Sequence, residues 1–205
     1  ASLNFWEGCT NASPGCQLCY AHAMAKRWGK NHWGPKAPRR VVNWRPILKQ
    51  IQQRAARGDQ SKNGTDRLMV FVNDISDLFE SPETMPEESR AVTAELRLEC
   101  WRVIEENPHI IFQLLTKRPE NVMNMVPQGW REGFPPNVWV MTSVENQEWA
   151  DKRIPLLLPI PAVVLGLSCE PLLGPVGRTN IDAEQNGSKE WCWVNALNGD
   201  HTDMG

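Results

Sequence analysis

Short runs of β-forming apolar residues alternate with longer helix-forming segments along most of this chain. The predicted strands cover residues 3–6, 67–72, 109–115, 137–141 and 162–167, with one further candidate at 191–196. The predicted helices cover residues 21–28, 46–57, 86–106 and 147–158. This alternation is typical of βα units around a parallel sheet. Because a complete eight-stranded barrel usually needs about 250 residues, we expect residues 1–205 to form a single α/β domain, a partial (open) TIM-type barrel of about six parallel βα units.

The ends of two predicted helices are marked by residues that favour those positions. Pro46 lies in the first turn of the second helix, and Gly58 follows its last residue. Pro86 begins the third helix, where the carboxylates of Glu87 and Glu88 favour its positive end.

Polar residues follow each of the four later strands of the predicted sheet. In parallel α/β folds ligands bind at the carboxyl ends of the strands, so we expect these polar residues to meet at one rim. The candidate site residues are Asn73, Asp74, Ser76, Asp77, Lys117, Arg118, Ser143, Glu145, Cys169 and Glu170.

Several of these residues also have a purely structural interpretation. Asp74 and Asp77 are of a type that favours turns and caps, and Lys117 with its arginine neighbour is typical of a solvated loop. Ser143 precedes a predicted helix and suits its N-cap. Cys169 suits a small buried position, where free cysteine is common.

Three cysteines, Cys9, Cys16 and Cys19, fall within eleven residues directly after the first predicted strand. The sequence shows no signal-peptide pattern and no apolar run long enough to span a bilayer. We therefore expect a reducing cytoplasm, where clustered thiols indicate metal or redox sites rather than disulfides. Structural zinc and ordinary iron–sulfur clusters take four protein ligands. Either a fourth ligand completes this site, or one metal position stays open for chemistry.

Each alternative corresponds to a known kind of site. His22, three residues after Cys19, would complete a zinc site of three cysteines and one histidine. An open position is what a radical S-adenosylmethionine (SAM) site requires, in which three thiolates hold a [4Fe–4S] cluster and the fourth iron binds SAM. In such a site the cofactor supplies the radical chemistry and the protein positions it.

Five motifs together resemble a known family. They are GCTNASPGCQLCYA, FVNDISDLF, LLTKRP, SVENQ-x3-D-x-RIPLLL and SCEPLLGP. From about Cys9 to Gly177 the chain is similar to a family of phage and prophage proteins with a three-cysteine motif, regarded as radical-SAM-like and distantly similar to spore photoproduct lyase. The six-residue spacing between the first two cysteines is shared with this family, whereas the usual radical SAM spacing is three. The family usually continues further, so we expect the C-terminal end to be truncated or diverged.

The resemblance implies a [4Fe–4S] cluster held by Cys9, Cys16 and Cys19, with SAM bound beside it. The residues that follow the second and fourth strands would bind SAM, the former through its amino group and the latter near its ribose. These residues are Asn73, Asp74, Ser76, Asp77, Ser143 and Glu145.

The resemblance also implies roles at the remaining strand ends. Lys117 or Arg118 would neutralise the carboxylate of SAM or a substrate phosphate, since these cations suit both groups. Glu170 would contact SAM or the substrate. Cys169 would quench a product radical, as a rim cysteine does in spore photoproduct lyase.

Charge is unevenly distributed along the chain. Residues 1–58 carry ten lysines and arginines against one acid, Glu7, whereas the rest carries 12 basic and 23 acidic residues. The basic segment, residues 26–57, also contains Trp28, Trp33 and Trp44. Such a segment is suited to holding a polyanion and stacking on bases. The structural alternative is a solvated basic face.

We therefore expect a radical SAM enzyme that modifies or repairs a nucleic acid or nucleotide in the cytoplasm of a bacterial or phage-infected cell. It would need an external electron donor, and a protein partner is compatible with this function. One alternative is a non-catalytic zinc-binding, nucleic-acid-binding module closed by His22. The other is an inert relative that keeps the cluster without turnover.

Overall fold

The computed structural model describes residues 1–59 and 66–177, which form an α/β fold around a five-stranded parallel sheet. The described strands, in chain order, are β1 (Ser2–Leu3), β2 (Trp6–Glu7), β3 (Arg40–Val41), β4 (Met69–Val72), β5 (Ile111–Thr116), β6 (Val138–Ser143) and β7 (Val164–Ser168). The sheet has the order β1-β4-β5-β6-β7, and every neighbouring pair is parallel. Strands β2 and β3 form a separate antiparallel pair. The predicted α/β class and parallel sheet are confirmed.

Helices connect most of the strands. They are α1 (Tyr20–Arg27), α2 (Arg45–Ala56), α3 (Glu87–Glu106), α4 (Val122–Met125) and α5 (Gln147–Leu157). The four predicted helices are confirmed, with ends that differ from the prediction by one residue at most. The further strand candidate at residues 191–196 lies outside the described residues. None of the helices within residues 1–59 and 66–177 combines the length and the apolar character that crossing a bilayer requires.

The first predicted strand is divided in two. β1 pairs with β4, but the next backbone donor, the N–H of Phe5, binds Oδ1 of Asn73 at 2.8 Å. A side-chain acceptor thus replaces the ladder, and the chain leaves the parallel sheet. Trp6 then pairs with Val41 in the antiparallel ribbon. The division of the strand carries the cysteine segment away from the sheet edge.

The central strands are apolar on both faces because helices and loops cover both sides of the sheet. Phe112, Leu114, Val138 and Val140 are completely buried. In the register of the sheet, Thr116 lies opposite Thr142, and Ser143 lies opposite Ser168. The carboxyl ends of β5, β6 and β7 are therefore level, which brings the segments that follow them to one rim.

Candidate functional site

The cysteine loop, residues 8–19, leaves the end of β2 at a glycine that no other residue can replace without strain. Gly8 has a φ of +99°, a conformation that side chains disfavour. A Cβ atom there would lie 1.9 Å from the carbonyl oxygen of His32. The N–H of Gly8 binds the carbonyl of Ile75 at 3.0 Å. The loop thus begins against the segment that follows β4, as expected for a site at the rim.

The three cysteines of the loop have different environments. Cys9 and Cys19 are partly buried, and both pack against a small cluster of Ala21, Ala25 and Trp33. Cys16 is buried in the 3₁₀ helix Pro14–Leu18, and its Sγ accepts a hydrogen bond from the N–H of Ala12 at 3.4 Å. Amide hydrogen bonds of this kind tune cysteine sulfurs in iron–sulfur proteins.

The environment of Cys9 favours the neutral thiol over the thiolate. Burial, reinforced by the negative charges of Glu80 and Asp77, raises its pKa well above the usual value. Cys9, Cys16, Cys19, Cys100 and Cys169 are all free thiols. Within residues 1–59 and 66–177, no three His, Cys, Asp or Glu side chains are grouped closely enough to hold a metal ion.

His22, the proposed fourth zinc ligand, stacks on Trp33. The two rings are nearly parallel, with an interplanar angle of 5° and centroids 5.5 Å apart. Trp33 is buried, and its Nε1 has no hydrogen-bond partner in the described structure. The histidine ring is therefore oriented by the same tryptophan against which Cys9 and Cys19 pack.

Glu145, after β6, fastens the cysteine loop to the sheet. Its carboxylate accepts hydrogen bonds from Oγ of Ser13 at 2.5 Å and from the N–H of Gly15 at 2.9 Å. It also pairs with Nζ of Lys117 at 3.1 Å and with Nη1 of Arg153 at 3.5 Å. Burial disfavours its charge, but the bonds from Ser13 and Gly15 and the charge of Lys117 outweigh burial, so the pKa of Glu145 is lowered. The family resemblance implied a place near the ribose of SAM for this carboxylate, whereas in the structure it binds the cysteine loop.

Asp77 joins the end of β4 to the end of β5. Its carboxylate accepts hydrogen bonds from the N–H of Phe79, the hydroxyl of Thr116, the N–H of Lys117 and Nη1 of Arg118. Both partners of the ion pair are buried, with the Arg118 nitrogen 2.8 Å from Asp77. The negative charge of Asp77 outweighs burial and raises the pKa of the Arg118 guanidinium.

Arg118 extends this link to the cysteine loop. Its Nη2 donates to the carbonyl oxygen of Thr10 at 2.5 Å. Nη1 binds Asp77 and Nη2 binds the loop, so both terminal nitrogens of the guanidinium have partners within the protein. This position explains why a cation follows β5. Lys117, whose side chain is 20% exposed, is therefore the one of the two cations that a ligand can reach more easily.

The residues directly after β4 hold the segment that precedes the cysteines. Asn73 has a positive φ of 54°, and its Oδ1 binds Phe5 while its buried Nδ2 has no partner in the described structure. Asp74 accepts hydrogen bonds from Ser2 at 2.8 Å and Asn4 at 2.6 Å. Ser76 donates to the carbonyl of Trp6 at 3.0 Å. These candidate residues thus bind residues 2–6, the segment that precedes the cysteine loop.

The ends of β6 and β7 bring the remaining candidates to the rim. Ser143 is buried, and its carbonyl accepts a hydrogen bond from Arg153. The N-cap of α5 is Asn146 and not Ser143, since Asn146 Oδ1 accepts from the N–H of Trp149. Cys169 is partly buried against the main core, and burial, reinforced by the charge of Glu170, raises the pKa of its thiol.

A buried ion pair that the sequence did not indicate supports the loop from below. Glu80 and Arg39 have fully buried side chains and are joined by two hydrogen bonds, of 2.6 and 2.9 Å. Glu80 also accepts from the N–H of Thr10, whose hydroxyl accepts from Arg39. The only signal in the sequence was an acid at the end of the string NDISDLFE, which is equally typical of an exposed turn.

The basic segment, residues 26–57, is partly internal. Arg39, Trp33 and Trp44 are buried, and Arg40 pairs with Glu7 at 2.6 Å. The exposed cations of the segment that make no ion pair within the described residues are Lys26, Arg27, Lys36, Arg45, Lys49 and Arg57. Of the three tryptophans, only Trp28 is exposed, at 62%. The exposed cations make up a basic surface, and Trp28 has the exposed tryptophan ring, with Nζ of Lys30 5.3 Å from its centroid.

A cavity of about 310 Å³ lies between the cysteine loop and α5. Asn11 and Ala12 of the loop contribute to its wall, and Trp149 and Leu156 supply apolar surface. Its basic residues are Lys117, Arg118, Lys152 and Arg153. Its size is at the lower end of the range for small-molecule sites.

Comparison with known proteins gives one match. The family described as "Protein of unknown function (DUF5131)" matches residues 1–201. No curated protein and no solved structure matches the chain.

Proposed function

We propose a function for this chain, which belongs to the family "Protein of unknown function (DUF5131)": it is a radical SAM enzyme on a partial, open TIM-type barrel. Cys9, Cys16 and Cys19 would hold a [4Fe–4S] cluster, and the rim would hold SAM. The chemistry that these cofactors supply when bound is reductive cleavage of SAM to a 5′-deoxyadenosyl radical.

One observation carries the proposal. Three free thiols lie on a single loop, and buried ion pairs fasten that loop to the carboxyl ends of parallel strands. Asp77 and Arg118 connect it to β4 and β5, and Glu145 connects it to the end of β6. A zinc module would need only the loop, whereas an enzyme site at the rim needs the loop and strand ends to be held together.

The donor set is chemically suited to the cluster. Thiolates are the usual ligands of iron–sulfur clusters. The hydrogen bond that the N–H of Ala12 donates to Sγ of Cys16 is of the type that stabilises a metal-bound sulfur. The proposal is supported by the chemistry of the thiols and by the placement of the loop. Within the described residues, the three thiols are not grouped closely enough to bind a metal ion. Iron would bind Cys9 as the thiolate, so cluster assembly would release its proton, and the raised pKa of Cys9 opposes that release.

The rim residues have distinct duties in this proposal. Asn73 offers a buried, unpartnered amide N–H to SAM. Asp77, Arg118 and Glu145 act as positioning residues, because their polar atoms are occupied by the protein. Cys169, partly buried directly after β7, remains the candidate for radical quenching.

We propose a nucleic acid or nucleotide as the substrate. The exposed cations of the basic segment give a surface that attracts phosphate, and Trp28 gives one stacking platform. The segment directly follows the cysteine loop, so a bound strand would pass close to the site. An external electron donor is required to reduce the cluster.

The test is anaerobic purification and reconstitution with iron and sulfide, followed by metal analysis, absorption spectroscopy and incubation with SAM and dithionite. We expect about four irons per chain, a brown chromophore and 5′-deoxyadenosine. The variants Cys9→Ala, Cys16→Ala and Cys19→Ala should lose the chromophore. Cys100→Ala, which removes a buried thiol of the core on α3, is the matched control and should keep it.

The alternatives predict other outcomes. One equivalent of zinc without a chromophore, lost in His22→Ala, would establish the zinc module. A stable cluster that yields no 5′-deoxyadenosine under any condition would establish the inert relative. Either result would overturn the proposed enzyme activity.

A further inference from the structure

The cavity between the cysteine loop and α5 contains an arginine whose oxyanion-binding edge is unused. Arg153 lines the cavity and is 2% exposed. Its Nη1 donates to the carbonyl of Ser143 at 2.9 Å and lies 3.5 Å from the Glu145 carboxylate. Its Nε and Nη2 have no hydrogen-bond partner in the described structure.

The two unpartnered nitrogens of Arg153 can bind one ligand group together. Nε and Nη2 lie on the same edge of the planar guanidinium, the edge that binds two oxygens of a carboxylate or phosphate at once. Trp149 covers one face of this guanidinium, with its ring centroid 4.3 Å from Cζ of Arg153. The arginine is thus held in place by its face and by Nη1, while the two-donor edge is buried and has no hydrogen-bond partner in the described structure.

The other cations of the cavity differ in how many hydrogen-bond donors they retain for a ligand. Arg118 is used by Asp77 and the cysteine loop. Lys117 pairs with Glu145, and Lys152 pairs with the exposed Glu148 at 2.5 Å. Ammonium groups carry three donors, so each lysine retains hydrogens for a second acceptor.

The acidic groups limit what the cavity can attract. Glu120 lines it, and Glu145 and Glu148 pair with its cations. The summed charge is therefore modest, and attraction at long range is not the main feature of the site. What distinguishes the site is the set of unsatisfied donors, which selects a ligand with several acceptor oxygens on one centre.

We propose that this cavity binds the phosphate group of a nucleotide substrate, with two phosphate oxygens on Nε and Nη2 of Arg153. A third phosphate oxygen would accept a hydrogen bond from Lys117 or Lys152. A carboxylate has only two oxygens and could not make this third contact. The cavity volume suits a mononucleotide or one nucleotide unit of a strand. This assignment deepens the proposed function and rests on it for the identity of the substrate as a nucleotide.

The experiment titrates the full, reconstituted chain by calorimetry with inorganic phosphate, adenosine 5′-monophosphate, adenosine and acetate. We expect binding of both phosphate probes and weak or no binding of adenosine and acetate. Arg153→Lys keeps the charge but removes the two-donor edge, so it should lower the affinity for adenosine 5′-monophosphate by about tenfold or more. Lys152→Glu should also lower this affinity. Arg131→Glu, the same charge reversal at an exposed position outside the cavity, should not.

Three results would overturn the proposal: no phosphate binding by the wild type, equal binding by Lys152→Glu, or binding of acetate but not phosphate. Lys152 lies on an exposed face of α5, so its variant keeps the test valid where Arg153→Lys fails to fold. The same samples are assayed for 5′-deoxyadenosine. Phosphate binding without 5′-deoxyadenosine overturns the proposed function and supports the cavity, whereas 5′-deoxyadenosine without phosphate binding overturns the cavity assignment alone.

Discussion

The backbone N–H of Gly15 donates a hydrogen bond to the Glu145 carboxylate at 2.9 Å, across 130 positions of sequence. A Cβ atom on Gly15 would lie 2.5 Å from Cδ of Glu145. That carboxylate cannot easily move, because Ser13, Lys117 and Arg153 also hold it. The close approach of backbone and carboxylate thus sets the height of the cysteine loop above the sheet.

Gly15→Ala should therefore displace the loop. We expect a loss of about 1–3 kcal/mol in the free energy of unfolding, typical of overpacking at a rigid contact, together with poorer iron retention after reconstitution. Urea unfolding and iron analysis measure the two effects. Gly129→Ala is the control, because nothing lies within 4 Å of a Cβ there. Equal stability and iron content in both variants would contradict a fixed loop height.

The lowered pKa of Glu145 predicts a dependence of stability on pH. A carboxyl group whose pKa is depressed by folding contributes stability above its unfolded pKa of about 4.3, and this stability is lost as the pH falls through the folded value. Glu145→Gln should reduce the free energy of unfolding at pH 7 by about 3–5 kcal/mol, because Lys117 and Arg153 lose their buried partner.

The same variant should lose less stability than the wild type between pH 5 and pH 3, as urea unfolding at several pH values would show. Glu148→Gln removes an exposed carboxylate that pairs with Lys152 and should change stability by less than about 1 kcal/mol. An unchanged pH profile in Glu145→Gln would show that its carboxylate does not carry the effect.

Asp77 should matter more for stability than Asp74, although both follow β4. Asp77→Asn leaves the buried Arg118 without its counterion and should cost about 3–5 kcal/mol. Asp74 accepts from two side chains nearer the surface, so Asp74→Asn should cost about 1 kcal/mol. Thermal and urea unfolding of the two variants decide the order, and the prediction is wrong if Asp74→Asn costs as much.

The basic surface should bind single-stranded nucleic acid through Trp28 and its neighbouring cations. Trp28→Ala should weaken binding by about 1–3 kcal/mol if one base stacks there, and Lys49→Glu should lower the dependence of affinity on salt. Fluorescence anisotropy with a short labelled oligonucleotide at several salt concentrations measures both. Leu98→Ala, at an equally exposed apolar residue on α3, should leave binding unchanged. Loss of binding in that control would indicate a general effect.

Local patterns in the sequence were sufficient for most secondary structure. Gly58 has a φ of +74° and follows Arg57, the C-cap of α2, and Pro46 lies in the first turn of that helix, as predicted. These positions depend on backbone preferences of single residues, which a sequence displays directly. The apolar strands were recognisable for the same reason, since burial on both faces leaves few polar residues in them.

The division of the first strand could not be predicted, because it depends on an acceptor far along the chain. Phe5 looks like a strand residue, but its N–H binds Asn73, 68 positions later. Arg39 was counted with the basic surface, and only the tertiary structure places it on the buried Glu80. Long-range pairs of this kind leave no local pattern.

The sequence by itself determined the order of the sheet strands and of the four long helices, the three thiols on one loop and the presence of polar residues at the strand ends. Only the tertiary structure decided what those polar residues do. Glu145, Asp77 and Arg118 hold the cysteine loop, while Arg153 lines a cavity and keeps two buried nitrogens without a partner in the described structure. The physical reason is that a buried charge is stable only beside a partner, and that partner is chosen by the packing of distant segments.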